Sequence, residues 1–303
     1  MANSAIEIRG AVKRYGAIEA VGGVDLRIER GEVFGLIGHN GAGKSTLFKM
    51  MLGLIPATAG DIRIDGTSIN GKAFREVRRG VGYLPENVVL YENLNGLETL
   101  DFFASLKGLR NLDGRAMLER VGLAEAGDRR VKTYSKGMRQ RLGFAQALLG
   151  EPRLMFLDEP TNGLDPEGIR EFYGLLREQR DRGATIVLTS HILSEIQERV
   201  DRLAIMKTGR IQALGAVSSL REQMRLPLLF ELRLAPGAED AVRAALTGVD
   251  ASAFSLRGER ATVQCPRESK MRMVAAICGL GAHILDVQIR EPSLEDVFLG
   301  YSG

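Results

Sequence analysis

Cysteine is scarce in this 303-residue chain: there are two, Cys265 and Cys278, thirteen positions apart. So small a number excludes a disulfide framework, and both are read as reduced core residues with no metal role. Long apolar runs are missing too. No stretch approaches the roughly eighteen uncharged apolar residues of a membrane span. The richest, LMFLDEP, meets Asp158 at once. The opening MANSAIEIRG has no apolar core of the kind a secretory leader carries. An excess of one charge is also lacking. With 41 basic against 38 acidic residues, the net +3 is too small to argue for nucleic acid. What is present is ordinary globular composition, 45% hydrophobic and 26% charged. The length suits one large domain with a small one.

Short β-rich runs alternate with helical patterns through the first part. AIEIRG, VDLRIER and EVFGLIG read as strands and GKSTLFKMMLGL as a helix, with DIRIDG and GVGYLPE as further strands. From Asn87 to about Gln146 the pattern is mostly helical, LETLDFFASLKGL being the clearest amphipathic piece. Strands return at RLMFLDEP, ATIVLTSH and RLAIMKTGRI, with the helix IREFYGLLREQRDRG between the first two. This predicts an α/β domain over 1–217 with an inserted helical section at about 87–146. Residues 218–303 read as a small α+β accessory or dimerisation domain of ferredoxin-like order. There LLFELRLA, GAEDAVRAAL, FSLRG, RATVQC, SKMRMVAAICGL and AHILDVQI give β-α-β-β-α-β. A last helix is expected over SLEDVFLGY.

The segment GHNGAGKST fits G-x-x-x-x-G-K-[ST] between a strand and a helix, the context that pattern requires. Gly38, Gly41 and Gly43 let the backbone curl around a phosphate, with His39, Asn40, Ala42 and Thr46 completing the loop. In such a loop Lys44 reaches the β- and γ-phosphates and the Ser45 hydroxyl ligates Mg²⁺. RLMFLDEP ends a buried strand in two carboxylates. Asp158 is placed to hold Mg²⁺ and Glu159 to deprotonate a water. His191 closes the next strand, and parallel strands deliver their C-terminal ends to one crevice. The stretch TYSKGMRQRLGFAQALL puts Ser135, Gly137 and several cations at a helix N-terminus. By itself that reads either as an ordinary N-cap on a solvated basic helix or as an anion site.

Taken in order, GHNGAGKST, YSKGMRQR, LMFLDEP, NGLD and TSH resemble the ATP-binding subunits of ABC transporters over about residues 5–217. The resemblance makes YSKGMRQR an altered signature in which Ser135, Gly137 and Gln140 face the γ-phosphate of ATP held by a second copy. It further implies that Tyr15 stacks on adenine and that Asp165 crosses the dimer seam. Glu86 falls where the family usually has glutamine, near Mg²⁺ and the attacking water, and the loop after it touches the membrane partner. The same resemblance implies a homodimer on a separate permease, at the cytoplasmic face of the inner membrane. Its cofactors would be ATP and Mg²⁺, with no nucleic acid bound.

GYLPENVVLYENLNGLETLDFFASLKG and the stretch from Asp128 to Thr161 resemble more narrowly the ATPase of the nitrous-oxide-reductase maturation transporter. That resemblance implies denitrification, copper-site assembly and a periplasmic accessory protein reached through the permease. The alternative is the ATPase of a lipid, drug or polysaccharide exporter. A soluble ABC protein acting on ribosomes or DNA is disfavoured, because there is one P-loop and 47–132 has no sustained heptads.

Overall fold

The computed structural model describes residues 4–223, 227–246, 249 and 253–290. The chain divides into two compact units, Met1–Ala216 and Val217–Gly303.

The first unit opens with a long antiparallel hairpin, Ser4–Tyr15 against Ile18–Glu29. Both strands run well past the short alternating segments expected from sequence. Register shifts around Gly10 and Gly22 absorb the stretches where alternation fails. At Gly10 the backbone takes φ +54, and its N–H donates to Asp25 Oδ1 at 2.8 Å. Ala59–Ile64 and Thr67–Ser68 complete this four-stranded sheet.

A six-stranded sheet forms the centre, in the order Arg210–Gly215, Arg202–Lys207, Val33–Ile37, Thr185–Ser190, Leu154–Leu157, Val81–Leu84. All pairings are parallel except that of the first two strands. Val33–Ile37, Leu154–Leu157 and Thr185–Ser190 are buried throughout, as a parallel sheet covered on both faces requires. Ile37 pairs with Ser190 and Leu157 with Leu188, so the loops after these three strands leave from one edge. Helix Lys44–Met51 packs onto the sheet through Phe48, which meets Phe156 edge to face at 5.2 Å.

The inserted section is helical from Gly96; residues 87–95, expected to begin it, hold no helix, only irregular chain, a turn and an isolated antiparallel bridge from Asn95 to Arg130. Helix Gly96–Lys107 starts there because Asn95 and Glu98 form a reciprocal capping box, and it stops at Gly108, φ +74. Gly114–Arg120 follows with Asp113 as its cap, and then Lys136–Leu148 with Ser135 as its cap. A short helix at Phe74–Arg79, between sheet strands, is an addition to the elements expected from sequence.

In the second unit the strands Leu228–Leu234, Ala253–Arg257, Arg260–Cys265 and Ile284–Arg290 form one antiparallel sheet. The third of these strands lies between the second and the first, and the fourth pairs with the first from its other side. Helices Glu239–Leu246 and Lys270–Gly279 pack on one face through Val242, Leu246, Met273 and Ile277. Cys265 is buried in that core, but Cys278 is exposed on the outer side of its helix, so only one of the two is a core residue. The helix expected over SLEDVFLGY lies outside the described residues.

Candidate functional site

The loop between strand Val33–Ile37 and helix Lys44–Met51 needs its glycines for separate reasons. A Cβ on Gly38 would sit 2.4 Å from Met206 O, and one on Gly43, φ +99, 2.4 Å from Ala20 O. Gly41 has open space around it, but at φ +83 its backbone suits glycine alone. Ala42 is tucked beneath, its N–H donating to His39 O at 3.0 Å, so it shapes the loop without facing outward. Tyr15, His39, Asn40, Gly41, Gly43, Lys44, Ser45 and Thr46 line one cleft of about 350 Å³. Half-exposed Tyr15 forms part of its wall, with Lys13 Nζ 5.1 Å from the ring centre.

Lys44 lies almost fully inside. Its Nζ donates to Gly38 O at 2.6 Å and His39 O at 3.3 Å, and stands 3.9 Å from Glu159 Oε1. Burial lowers its pKa, while the charges of Glu159, Asp158 and Glu86 work in the opposite direction. The loop thus holds a buried cation at its floor beneath an open glycine bend, a cradle fitted to a phosphate chain.

Asp158 and Glu159 leave strand Leu154–Leu157 at the same edge. Thr189 on the neighbouring strand serves both. Its hydroxyl donates to Asp158 Oδ1 at 2.6 Å and accepts from Glu159 N–H at 2.9 Å. Thr189 is wholly buried, and nothing in the segment LTSH singles it out. Its one signal is its place on a strand beside the acids, which needs the sheet register to be seen. Burial raises the Asp158 pKa; the Thr189 hydrogen bond opposes this, and the charges of Glu86 and Glu159 add to it. Glu159 occupies the left-handed region at φ +47, uncommon for a residue with a side chain and a form of stored strain. Its Oε2 lies 2.8 Å from His191 Nδ1, and the carboxylate is nine-tenths buried. Glu86, exposed after strand Val81–Leu84, adds its negative charge to the surroundings of Lys44 and Asp158. A buried cation, two buried acids, and a histidine on the more central of them can bind a phosphate chain and activate a water beside it. Ser45 and Asp158 give the oxygen donors a magnesium ion takes when phosphates and waters fill its remaining positions.

The signature residues stand apart from this cleft. Ser135 Oγ caps helix Lys136–Leu148, accepting from Met138 N–H at 3.2 Å. Gly137 lies so near the loop after the acids that a Cβ there would be 2.9 Å from Gly163 O. Neither lines the cleft made by Tyr15 and the glycine loop. Asp165 caps helix Pro166–Asp181 through a 2.9 Å bond from Gly168 N–H. Gln140 departs from expectation. It is 4% exposed and donates to Pro160 O at 2.8 Å, so it braces the chain behind Glu159 and cannot face a second copy's phosphate.

The profile of the family described as "ABC transporter" matches residues 21–162. The daunorubicin resistance ATP-binding protein DrrA3 of Streptomyces coeruleorubidus is 37% identical, over all of this chain and 97% of that protein. The linearmycin resistance ATP-binding protein LnrL of Bacillus subtilis (strain 168) is 30% identical over 96% of each. A solved ATP-binding cassette, described as dimeric and in a post-hydrolysis state with ADP and Pi, superposes with a TM-score of 0.63 at 25% identity. It covers 70% of this chain and 98% of that one. With the glycine cradle, the paired acids and full-length similarity all in one chain, this protein belongs to the ATP-binding subunits of ABC transporters and is an ATPase.

Proposed function

We propose that the chain drives an exporter of drug- or antibiotic-like compounds, working as a head-to-tail homodimer on a separate membrane permease. The single observation that carries the chemistry is Glu159: buried, strained, and oriented by both Thr189 and His191. In the reaction Lys44 draws charge from the β- and γ-phosphates, and the glycine-loop N–H groups hold their oxygens. Magnesium, held by Ser45 and Asp158 when bound, would neutralise charge developing on those phosphates. Glu159 takes a proton from the attacking water. His191, in the form that carries hydrogen on Nδ1, fixes the carboxylate while it does so. Tyr15 offers a flat apolar face to the base of the nucleotide. Among the described residues no helix is long and apolar enough to cross a membrane, in keeping with a peripheral subunit whose permease is another chain.

Ser135 and Gly137 support the dimer. They form an N-capped helix start with spare N–H groups, set outside their own chain's cleft. A second copy turned head to tail would supply the phosphate they lack. Two full-length relatives, DrrA3 and LnrL, carry resistance names, and this favours export over copper-site maturation in denitrification. Neither name bears on copper or on a periplasmic accessory protein.

The test is Glu159→Gln. It should bind ATP, hydrolyse it about 10²–10⁴-fold more slowly, the range of a lost general base, and become dimeric on adding ATP. Undiminished turnover would remove Glu159 from the mechanism. A protein that stays monomeric with ATP bound would remove the composite site.

A further inference from the structure

We infer that Arg141 is a positioning residue that ties the signature turn, the loop bearing Asp165 and the end of the inserted helical section into one piece. This role rests on the composite-site reading, since it concerns the half of that site which meets the other copy's nucleotide.

Arg141 lies in the second turn of helix Lys136–Leu148. Its Nη1 donates to Val121 O at 3.1 Å, at the close of helix Gly114–Arg120, and pairs with Glu171 Oε2 of helix Pro166–Asp181 at 2.6 Å. One guanidinium therefore joins three helices. Two glycines make room for it. A Cβ on Gly122 would fall 2.5 Å from Arg141 Nη1, and one on Gly168 would fall 2.9 Å from Nη2. Gly168 is also the residue whose N–H is capped by Asp165, and the same absent Cβ would meet Asp165 Oδ1 at 2.8 Å. Arg141 and the Asp165 carboxylate thus close on one point of the helix start.

Apolar packing does part of this job, since Phe144 of the signature helix meets Phe172 of helix Pro166–Asp181 with ring centres 4.6 Å apart. Beside Arg141 the three helices leave a cavity of about 390 Å³, walled by Val121, Phe144, Leu164, Phe172 and Leu175. On the far side a second tie, Arg120 to Glu178 at 3.1 Å, joins the same two outer helices. Glu171 and Glu178 are seven residues apart, on one face of their helix. Where that space interrupts the packing, these two polar ties span the helices beside the Phe144–Phe172 contact. A planar guanidinium that bonds a carbonyl and a carboxylate at once fixes distance and direction together, which a lysine ammonium does less well. Removing it should let Ser135 and Gly137 shift relative to Asp165 while the glycine loop of the same chain stays as built.

The experiment compares Arg141→Met and Arg141→Lys with the parent, all in the full-length Glu159→Gln chain. ATP affinity of the monomer should be unchanged. ATP-driven dimerisation, read by sedimentation, should weaken about tenfold or more for Met, as expected for a lost charged hydrogen bond, and by less for Lys. Amide exchange without nucleotide should quicken around Ser135–Arg139 and Asp165–Gly168 and not around Gly38–Ser45. Glu171→Lys, on a half-exposed helix surface, repels Arg141 without opening the core and should act in the same direction. Dimerisation and exchange identical to the parent in all three variants would overturn the tie. A parent that fails to dimerise while Arg141→Met still quickens exchange would sink the composite-site reading and leave the tie standing. Loss of ATP affinity in step with dimerisation would show general damage and overturn the positioning role.

Discussion

In the unit ending at Ala216, Lys44, Asp158 and Glu159 are buried together at the ends of parallel strands. In the unit beginning at Val217, Ser269 is the only buried polar residue among those described. Buried charge without full pairing is costly, so a fold keeps it where chemistry requires it. Glu32 marks the difference inside the first unit. It too is buried, but it accepts from Glu29 N–H at 2.7 Å and pairs with Arg202 at 3.1 Å, so it is a satisfied structural acid. Lys44 and Glu159, at 3.9 Å, are only loosely paired, so the ammonium is left able to turn to a phosphate in the adjoining cleft. Among its described residues, the second unit has no such buried, loosely paired charges.

The sharpest way to break this comparison is a crossed pair of substitutions. Phe230 is fully buried at the centre of the second unit. Phe230→Ala should cost that unit about 3–5 kcal/mol and leave ATP affinity unchanged. Lys44→Ala removes a charged contact worth about 1.5–3 kcal/mol, or roughly tenfold to a few-hundredfold in ATP affinity. It should leave unfolding of the second unit where it was. Calorimetry and equilibrium ATP binding on both variants check the pattern. If Phe230→Ala abolished nucleotide binding, the second unit could no longer be treated as outside the chemistry.

A smaller effect is expected at Thr189. Thr189→Val keeps the shape but strands Glu159 N–H and removes the donor to Asp158, a penalty of about 1–3 kcal/mol for a buried group left unpaired. Hydrolysis should fall with it, whereas Thr189→Ser should stay near the parent. The pH dependence carries a sign. Burial holds the Asp158 pKa above its unfolded value, so the folded chain keeps that proton to higher pH. Between the ordinary aspartate range and the raised pKa, stability falls as pH rises, and the penalty is full above it. Asp158→Asn should therefore stabilise the nucleotide-free chain at neutral pH and lose its advantage as the pH drops through that window, as thermal melts would show.

These substitutions also mark where the sequence stops being readable. The glycine loop, the acid pair and His191 are legible because each is a contiguous motif set between a strand and a helix or at a strand end. Thr189 is not, because its role exists only once Leu157 and Leu188 are in register on neighbouring strands. Gln140 misleads because it lies among cations in sequence, while the helix turns it inward onto Pro160 O. The strands of the first hairpin run longer than their pattern suggests, because glycine bulges interrupt the alternation by which strands are recognised. The order of elements in the second unit comes through clearly, since strands such as Leu228–Leu234 and Arg260–Cys265 alternate buried and more exposed residues, as an antiparallel sheet with one covered face does.

The smallest predicted effect uses the two cysteines as reporters of the second unit. Cys265 is buried on strand Arg260–Cys265, and burial pushes its thiol pKa up, so it is both shielded and poor in thiolate. Cys278 is exposed and should react with a thiol reagent in the folded protein at an ordinary rate. In a Cys278→Ser chain the remaining signal reports Cys265 alone, and its reaction should wait for the unit to open. Phe230→Ala lowers the free energy of that opening and should speed labelling accordingly. ATP stabilises what it binds; if its contacts lie wholly in the first unit, it should slow no opening in the second. Labelling of Cys265 with and without ATP, in the Glu159→Gln chain so that the nucleotide persists, should then coincide. A slower rate with ATP would mean that nucleotide binding and the packing around Phe230 share one free energy, and the two units could no longer be described separately.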